Sequence, residues 1–266
     1  MHKELRSNAL DCLALCDASL KVKHVTALYH MWQHDSLELN VTTNLQYQVN
    51  IPGRPDKPEL VLPKNVQKRS MATLEGRASL IHALAHIEFN AINLALDAIC
   101  HFSHMPAEFY TDWLKVAAEE AYHFELLNNH LIHLGYCYGD FTAHNSLWEM
   151  AEKTQSDVLA RMALVPRTLE ARGLDASPPL RKKLAQIGDL KAAEILDIIL
   201  RDEIGHVAIG NHWFNWLCLQ RKLEPIKAYQ QLALQYNAPK LHKPFNLEAR
   251  RKAGFSETEL LYLDNE

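Results

Sequence analysis

One short pattern, present twice, limits what this 266-residue chain can fold into more than any other feature of it. Glu119-Glu120-x-x-His123 lies within Lys-Val-Ala-Ala-Glu-Glu-Ala-Tyr-His-Phe-Glu-Leu-Leu, and Asp202-Glu203-x-x-His206 lies within Ile-Leu-Arg-Asp-Glu-Ile-Gly-His-Val-Ala. Both stretches read as helix, and residues three apart share a helix face, so each copy presents a carboxylate beside an imidazole. An oxygen and a nitrogen donor together suit a first-row divalent metal. With 19 Glu and 15 His in the chain, chance supplies about one Glu-x-x-His, and requiring an acid just before it lowers that to about 0.1. A single copy reads as an ordinary solvated helix pair; the doubled form reads as a metal site.

Composition narrows the fold further. Hydrophobic residues make up 48% of the chain, ample for a core, and only 9 Gly with few β-branched runs favours helices over sheet. A net charge of −4 and a pI near 6.4 give no basic footprint for nucleic acid. No apolar run approaches the roughly 20 residues of a membrane span, so no membrane segment is expected. The first residues lack the apolar core of a signal peptide. Five cysteines form no zinc-ribbon spacing, and Cys12 and Cys16, one helical turn apart, read as packing. A reducing cytoplasm is the expected location.

The expected fold is all-α, one domain overall, in four segments. Residues 1–50 form an N-terminal helical extension, with 3–34 as one helix. Residues 51–70 form a proline-rich connector laid along a surface. Residues 71–222 hold four long helices: 71–101, 106–134, 146–173 with a kink at Pro166 and a stop at Gly173, and 189–221. A brief helix at 177–187 comes before the last of these. Residues 223–266 add a fifth helix at 225–236 and a tail packed on the bundle. In the first long helix Glu88 interrupts an apolar stripe, which is costly for a buried charge unless it is paired.

The two halves share a layout. Glu88 precedes Glu120 by 32 positions and Glu170 precedes Glu203 by 33, so a helix, a turn and an antiparallel helix bring each pair to similar depth. Four carboxylates and two histidines result: one Glu from each of two helices and one Glu-x-x-His from each of the others. Bridging carboxylates offset the repulsion between two cations, and open positions admit dioxygen or substrate.

The chain resembles the ferritin-like superfamily of di-iron carboxylate bundles. Within it the chain is more similar to a bacterial family of unknown function, domain of unknown function 455. The closer likeness rests on His86-Ile-Glu88, Ala-Glu-Glu-Ala-Tyr-His123, Val-Pro-Arg-Thr-Leu-Glu-Ala-Arg-Gly-Leu-Asp175, Arg-Asp-Glu-Ile-Gly-His-Val-Ala-Ile-Gly-Asn211 and Pro-Phe-Asn-Leu-Glu-Ala-Arg-Arg-Lys-Ala-Gly-Phe255. It covers most of the chain from about Pro52. The resemblance implies a four-helix bundle with two iron ions, manganese being an alternative at one position. Glu88 and His123 hold one iron, Glu170 and His206 the other, and Glu120 and Glu203 bridge. Asp202 then orients His123, and Glu119 orients His206, by accepting the free imidazole N–H. Glu149 or Glu152 takes the place of Glu170 if the register differs.

His82 and His86 read as structural or rim residues, Tyr122 as packing, and Tyr110, Trp113 and Trp213 as core or pocket wall. His24, His30 and His34 read as surface, and His130 and His133 as solvated. Arg167, Arg172 and Arg201 are candidates for an anionic substrate group or for surface ion pairs. The leading functional expectation is a di-iron oxidoreductase that activates dioxygen or peroxide. It acts on a small-molecule or modified-nucleoside substrate with an external electron donor. The alternatives are a non-catalytic metal-binding or storage protein, or a helical scaffold with a sealed structural metal.

Overall fold

The structure, a computed structural model, describes residues 3–47 and 51–265. Residues 1–2 and 48–50 of the expected extension, and residue 266, lie outside the described residues. The described chain is all-helical, with two isolated β-bridges and no strand. It divides into two compact units, Met1–Trp148 and Glu149–Glu266.

Unit 1 begins with α1 (Leu5–Ala14) and α2 (Ala18–Gln33). The expected single helix over 3–34 is therefore two. Leu15 adopts an extended conformation, and Asp17 caps α2 by accepting from the Leu20 amide at 2.8 Å, which ends one helix and starts the next. The long central elements are α3 (Leu74–His101) and α4 (Ala107–His133), packed along one another after a short connection. Thr73 caps α3 through the Gly76 amide. At the other end, the buried Arg6 of α1 donates to the Ile99 and Cys100 carbonyls at 3.0 and 2.8 Å, satisfying part of α3's otherwise orphaned terminus.

The proline-rich connector has no helix before a single 3-10 turn at Pro63–Asn65. It is pinned at both ends. Gly53 lies so close to α1 that an added Cβ would sit 2.1 Å from the Ala14 carbonyl oxygen. Farther along, Val61 donates to Ala143 and Ala143 to Glu59 at 2.8 and 3.0 Å. Buried Lys21 closes the same region by donating to Leu13, Gly53 and Asn93 at 3.1, 2.8 and 2.5 Å.

Helix α3 carries one unexpected property. It is long and apolar enough, by length and composition alone, to cross a membrane, and 83% of the qualifying window is buried inside the protein. No unbroken apolar run shows in the sequence because buried Glu88, Asn90, Asn93 and Asp97 interrupt it.

The short α5 (Ser146–Lys153) spans the boundary between the units. Unit 2 continues with α6 (Val158–Leu164), a π turn at Val165–Glu170, and α7 (Ala171–Gln186). The expected third helix is thus interrupted after Lys153, and it does not stop at Gly173: α7 runs through Gly173 and through Pro178 and Pro179. The widened turn at Pro166 follows from its missing N–H and ring bulk, and Thr168 Oγ1 donates to the Ala163 carbonyl at 2.8 Å there. Pro178 removes the amide that would pair with Leu174, and Asn246 Nδ2 donates to that carbonyl at 3.2 Å instead.

Helix α8 (Leu190–Gln220) packs along α7. Gly210 on α8 makes room for Pro166, since a Cβ there would lie 2.5 Å from the proline's own Cβ. The unit closes with α9 (Pro225–Gln235), α10 (Leu247–Lys252) and α11 (Glu257–Asn265). Ala171, Leu174, Val207, Ala249, Ala253, Phe255 and Leu260 form one of its apolar clusters, so the tail is part of a core.

Candidate metal centre

In unit 1, α3 supplies Glu88 and α4 supplies Glu120 and His123, all buried. Each offers a donor atom within 4.8 Å of the other two. His123 Nδ1 stands 3.3 Å from Glu88 Oε2 and 3.4 Å from Glu120 Oε2. Donors about 2.0–2.2 Å from a common ion at tetrahedral or octahedral angles lie roughly 3–3.5 Å apart. The side chains present therefore fit a divalent cation in spacing as well as in chemistry.

The electrostatics agree. Burial, and then the Glu120 carboxylate beside it, push the Glu88 carboxyl well above the usual carboxylate range, while its contact with His123 acts in the opposite direction. Two buried carboxylates that oppose each other's ionisation are a standing demand for positive charge, and a cation supplies it.

In unit 2, Glu203 and His206 are both buried on α8, with His206 Nδ1 3.8 Å from Glu203 Oε1. The i,i+3 spacing has therefore produced the same side-chain pair in both units. Glu170 is the last residue of the π turn and is half-buried. The helix continues beyond it, whereas Glu149 and Glu152 are exposed. Glu119 lies 3.8 Å from Lys115. Asp202 accepts two bonds from Arg201 at 2.8 and 2.9 Å.

Among the lesser residues, Tyr110, Trp113 and Trp213 are core and Tyr122 is exposed. His82 and His86 are buried and hydrogen-bonded within unit 1. His30 and His34 are exposed and stacked, and His24 is half-buried. Two expectations need correction. His130 is buried rather than solvated, because it lies on α4's inner side beside Leu131 and Leu127 in sequence spacing. Arg167 is also buried and makes no surface ion pair; its partners are Glu259 and Asn211. Arg172 and Arg201 are exposed. Arg250, to which the sequence assigns no role, is fully buried against Asp175. Its Arg-Arg-Lys context suggests solvent, but Ala249, Ala253 and Phe255 around it are spaced as a buried face.

Residues 14–261 match the family described as "Protein of unknown function (DUF455)". The chain belongs to that family. It is also 54% identical over 220 residues to an "Uncharacterized protein" of Haemophilus influenzae (strain ATCC 51907 / DSM 11121 / KW20 / Rd), an alignment covering 80% of this chain and 76% of the relative. No solved structure matches.

Proposed function

We propose that this member of the family is a non-haem di-iron oxidoreductase of the ferritin-like type, acting in the cytoplasm on a small-molecule or modified-nucleoside substrate. The convergence of Glu88, Glu120 and His123 in a buried, carboxylate-rich cluster carries this reading. The equivalent Glu203 and His206 pair on α8 supports it. So does the near-equal sequence spacing of Glu88 to Glu120 and Glu170 to Glu203. In this reading Glu88 and His123 would hold one iron and Glu170 and His206 the other, with Glu120 and Glu203 as the carboxylates shared between them. Iron held there supplies redox chemistry toward dioxygen or peroxide, with electrons from an external donor.

The protein's own part is positional. Glu120 neutralises charge at the centre, and the apolar faces of α3 and α4 keep bulk water away from Glu88. In this reading Asp202 would accept the remaining N–H of His123 and Glu119 that of His206, which would fix each ring and raise its basicity. Asp202→Asn is expected to keep the fold and weaken iron binding by about 10–100-fold, as loss of such a support usually does. Competition with a chelator, read beside far-UV circular dichroism, measures this; parent-like affinity would remove Asp202 from the site.

The direct experiment is metal analysis and a visible spectrum of protein from an iron-replete host. About two irons per chain are expected from the ligand set. A folded protein without metal would end the reading. Full burial of Glu120 and His123 favours a second reading, a sealed structural metal. Dioxygen consumption by the reduced protein separates the two, since a sealed site consumes none.

A further inference from the structure

Unit 2 carries a partly open cavity of about 290 Å³ that the metal reading does not use. Two arginines line it, Arg167 from the π turn and Arg250 from α10, and they are only 3% and 0% exposed. Neither is saturated. Arg250 gives Nε and Nη2 to the Asp175 carboxylate at 3.0 and 2.6 Å, and Nη2 also to the Ala171 carbonyl at 3.4 Å. Its Nη1 is buried with no hydrogen-bond partner. Arg167 gives Nη1 to Asn211 at 2.7 Å and Nη2 to Glu259, and its buried Nε has no hydrogen-bond partner. Both guanidinium groups lie over one ring, that of Phe255, at 4.8 and 5.2 Å from its centroid.

A guanidinium that only braces a fold has its N–H groups filled, because a buried donor without an acceptor costs about 1–3 kcal/mol. Here two such donors belong to residues that line one cavity. Lys240 lines it as well, so among the described residues three cations stand against the two carboxylates of Asp175 and Glu259. The remaining wall is largely apolar and aromatic, including Ile226, Ala233, Leu241 and Tyr229. We infer that this cavity binds a small organic carboxylate with a flat apolar body. The guanidinium fork matches a carboxylate, one uncompensated positive charge matches a monoanion, and the apolar wall selects an organic body over an inorganic ion. Asn211, which holds Arg167, lies five residues past His206 on α8. The inference nevertheless stands on the cavity and its arginines, and it holds whether or not α8 carries a metal.

The probe is benzoate, titrated calorimetrically into the full-length protein, with benzamide as the uncharged isostere and inorganic phosphate as a third arm. Benzoate is expected to bind one per chain and benzamide at least about tenfold more weakly, the worth of a charge-assisted bond. Phosphate is expected to bind more weakly than benzoate. Ala233→Trp fills the cavity and should abolish the benzoate signal. Lys240→Gln, an exposed change that leaves the fold alone, should weaken it about threefold. Equal binding of benzamide, binding of phosphate alone, or no heat from benzoate would each overturn the inference. Parent-like benzoate binding in both variants would also overturn it, by placing the ligand elsewhere.

Discussion

Glu120→Gln protein from an iron-replete host will carry almost no iron, yet its metal-free form will melt no lower than the metal-free parent and will gain on it as pH rises. The first half follows from the proposed bridging role: glutamine keeps the volume but lacks the anion that would tie two cations together. The second half follows from the charge balance on the apo site. Glu88 has its carboxyl held well above the usual range by burial and then by Glu120. A carboxyl whose folded pKa exceeds its unfolded value, near 4.3, binds more protons folded than unfolded. Its contribution to stability is therefore present in acid and is lost as pH rises from about 4.3 through the raised folded value. Replacing Glu120 with a neutral isostere removes part of that loss. The advantage of the variant over the parent should be small at pH 5 and larger at pH 8. Metal content and paired melting curves across that range are the measurement. Full iron occupancy in the variant would exclude the bridge, and a metal-free variant that melts lower at every pH would show that Glu120 holds the fold by other means.

The parts of this site that were legible in the sequence were those set by helix periodicity. Glu120 with His123, and Glu203 with His206, needed only the knowledge that residues three apart share a face, and both pairs do come together. Glu88 stood out because a carboxylate in an apolar stripe demands a partner, and in unit 1 it has two. What was not legible was backbone repaired from afar. Pro166, Gly173 and Pro178-Pro179 read locally as a kink, a stop and a new start. The structure instead keeps one helical path, because Thr168 donates to Ala163 and Asn246, some seventy residues later, donates to Leu174. The break at Leu15–Asp17 could have been found, since an Asp followed by Ala-Ser-Leu is a helix-start signal, and it loses only to the apolar spacing on either side. Arg167 and Arg250 illustrate a further limit. Composition assigns arginine to solvent, and only tertiary packing buries these two, Arg167 against Asn211 of α8, Tyr229 of α9 and Glu259 of α11, and Arg250 against Ala171 and Asp175 of α7.

The metal-free protein should also be acid-labile between pH 6.5 and 4, and the cause lies in two histidines of α3. Burial lowers both His82 and His86 from 6.5 to about 4, with nearby Asp140 acting in the opposite direction on His82. The geometry explains why protonation is resisted. His82 Nε2 accepts from the Gly139 amide at 2.9 Å, so its proton sits on Nδ1, and a second proton on Nε2 would break that bond. His86 Nδ1 lies 2.7 Å from the Tyr138 hydroxyl, from which a neutral ring accepts, while the His144 carbonyl 3.2 Å from Nε2 acts in the opposite direction and is outweighed by burial. Both histidines stack against Tyr138, and His82 also meets the edge of Phe141, so a charge there has little water to meet it. For each ring the folded pKa is below the unfolded one. The unfolded chain therefore binds more protons between about 6.5 and 4, and stability falls as pH falls through that window. A shift of this size is worth at most about 3 kcal/mol per ring by pH 4, a large fraction of the whole stability of a typical domain. Glu88 titrates in the opposite sense, so the part played by His82 is read from the difference in slope between variant and parent. Glutamine at position 82 can still accept from Gly139 and cannot take up the proton, so His82→Gln should match the parent near pH 7 and lose stability about half as steeply toward pH 4.5. Urea unfolding of the two metal-free proteins at several pH values measures the slopes; identical slopes would clear His82 of any part in acid unfolding.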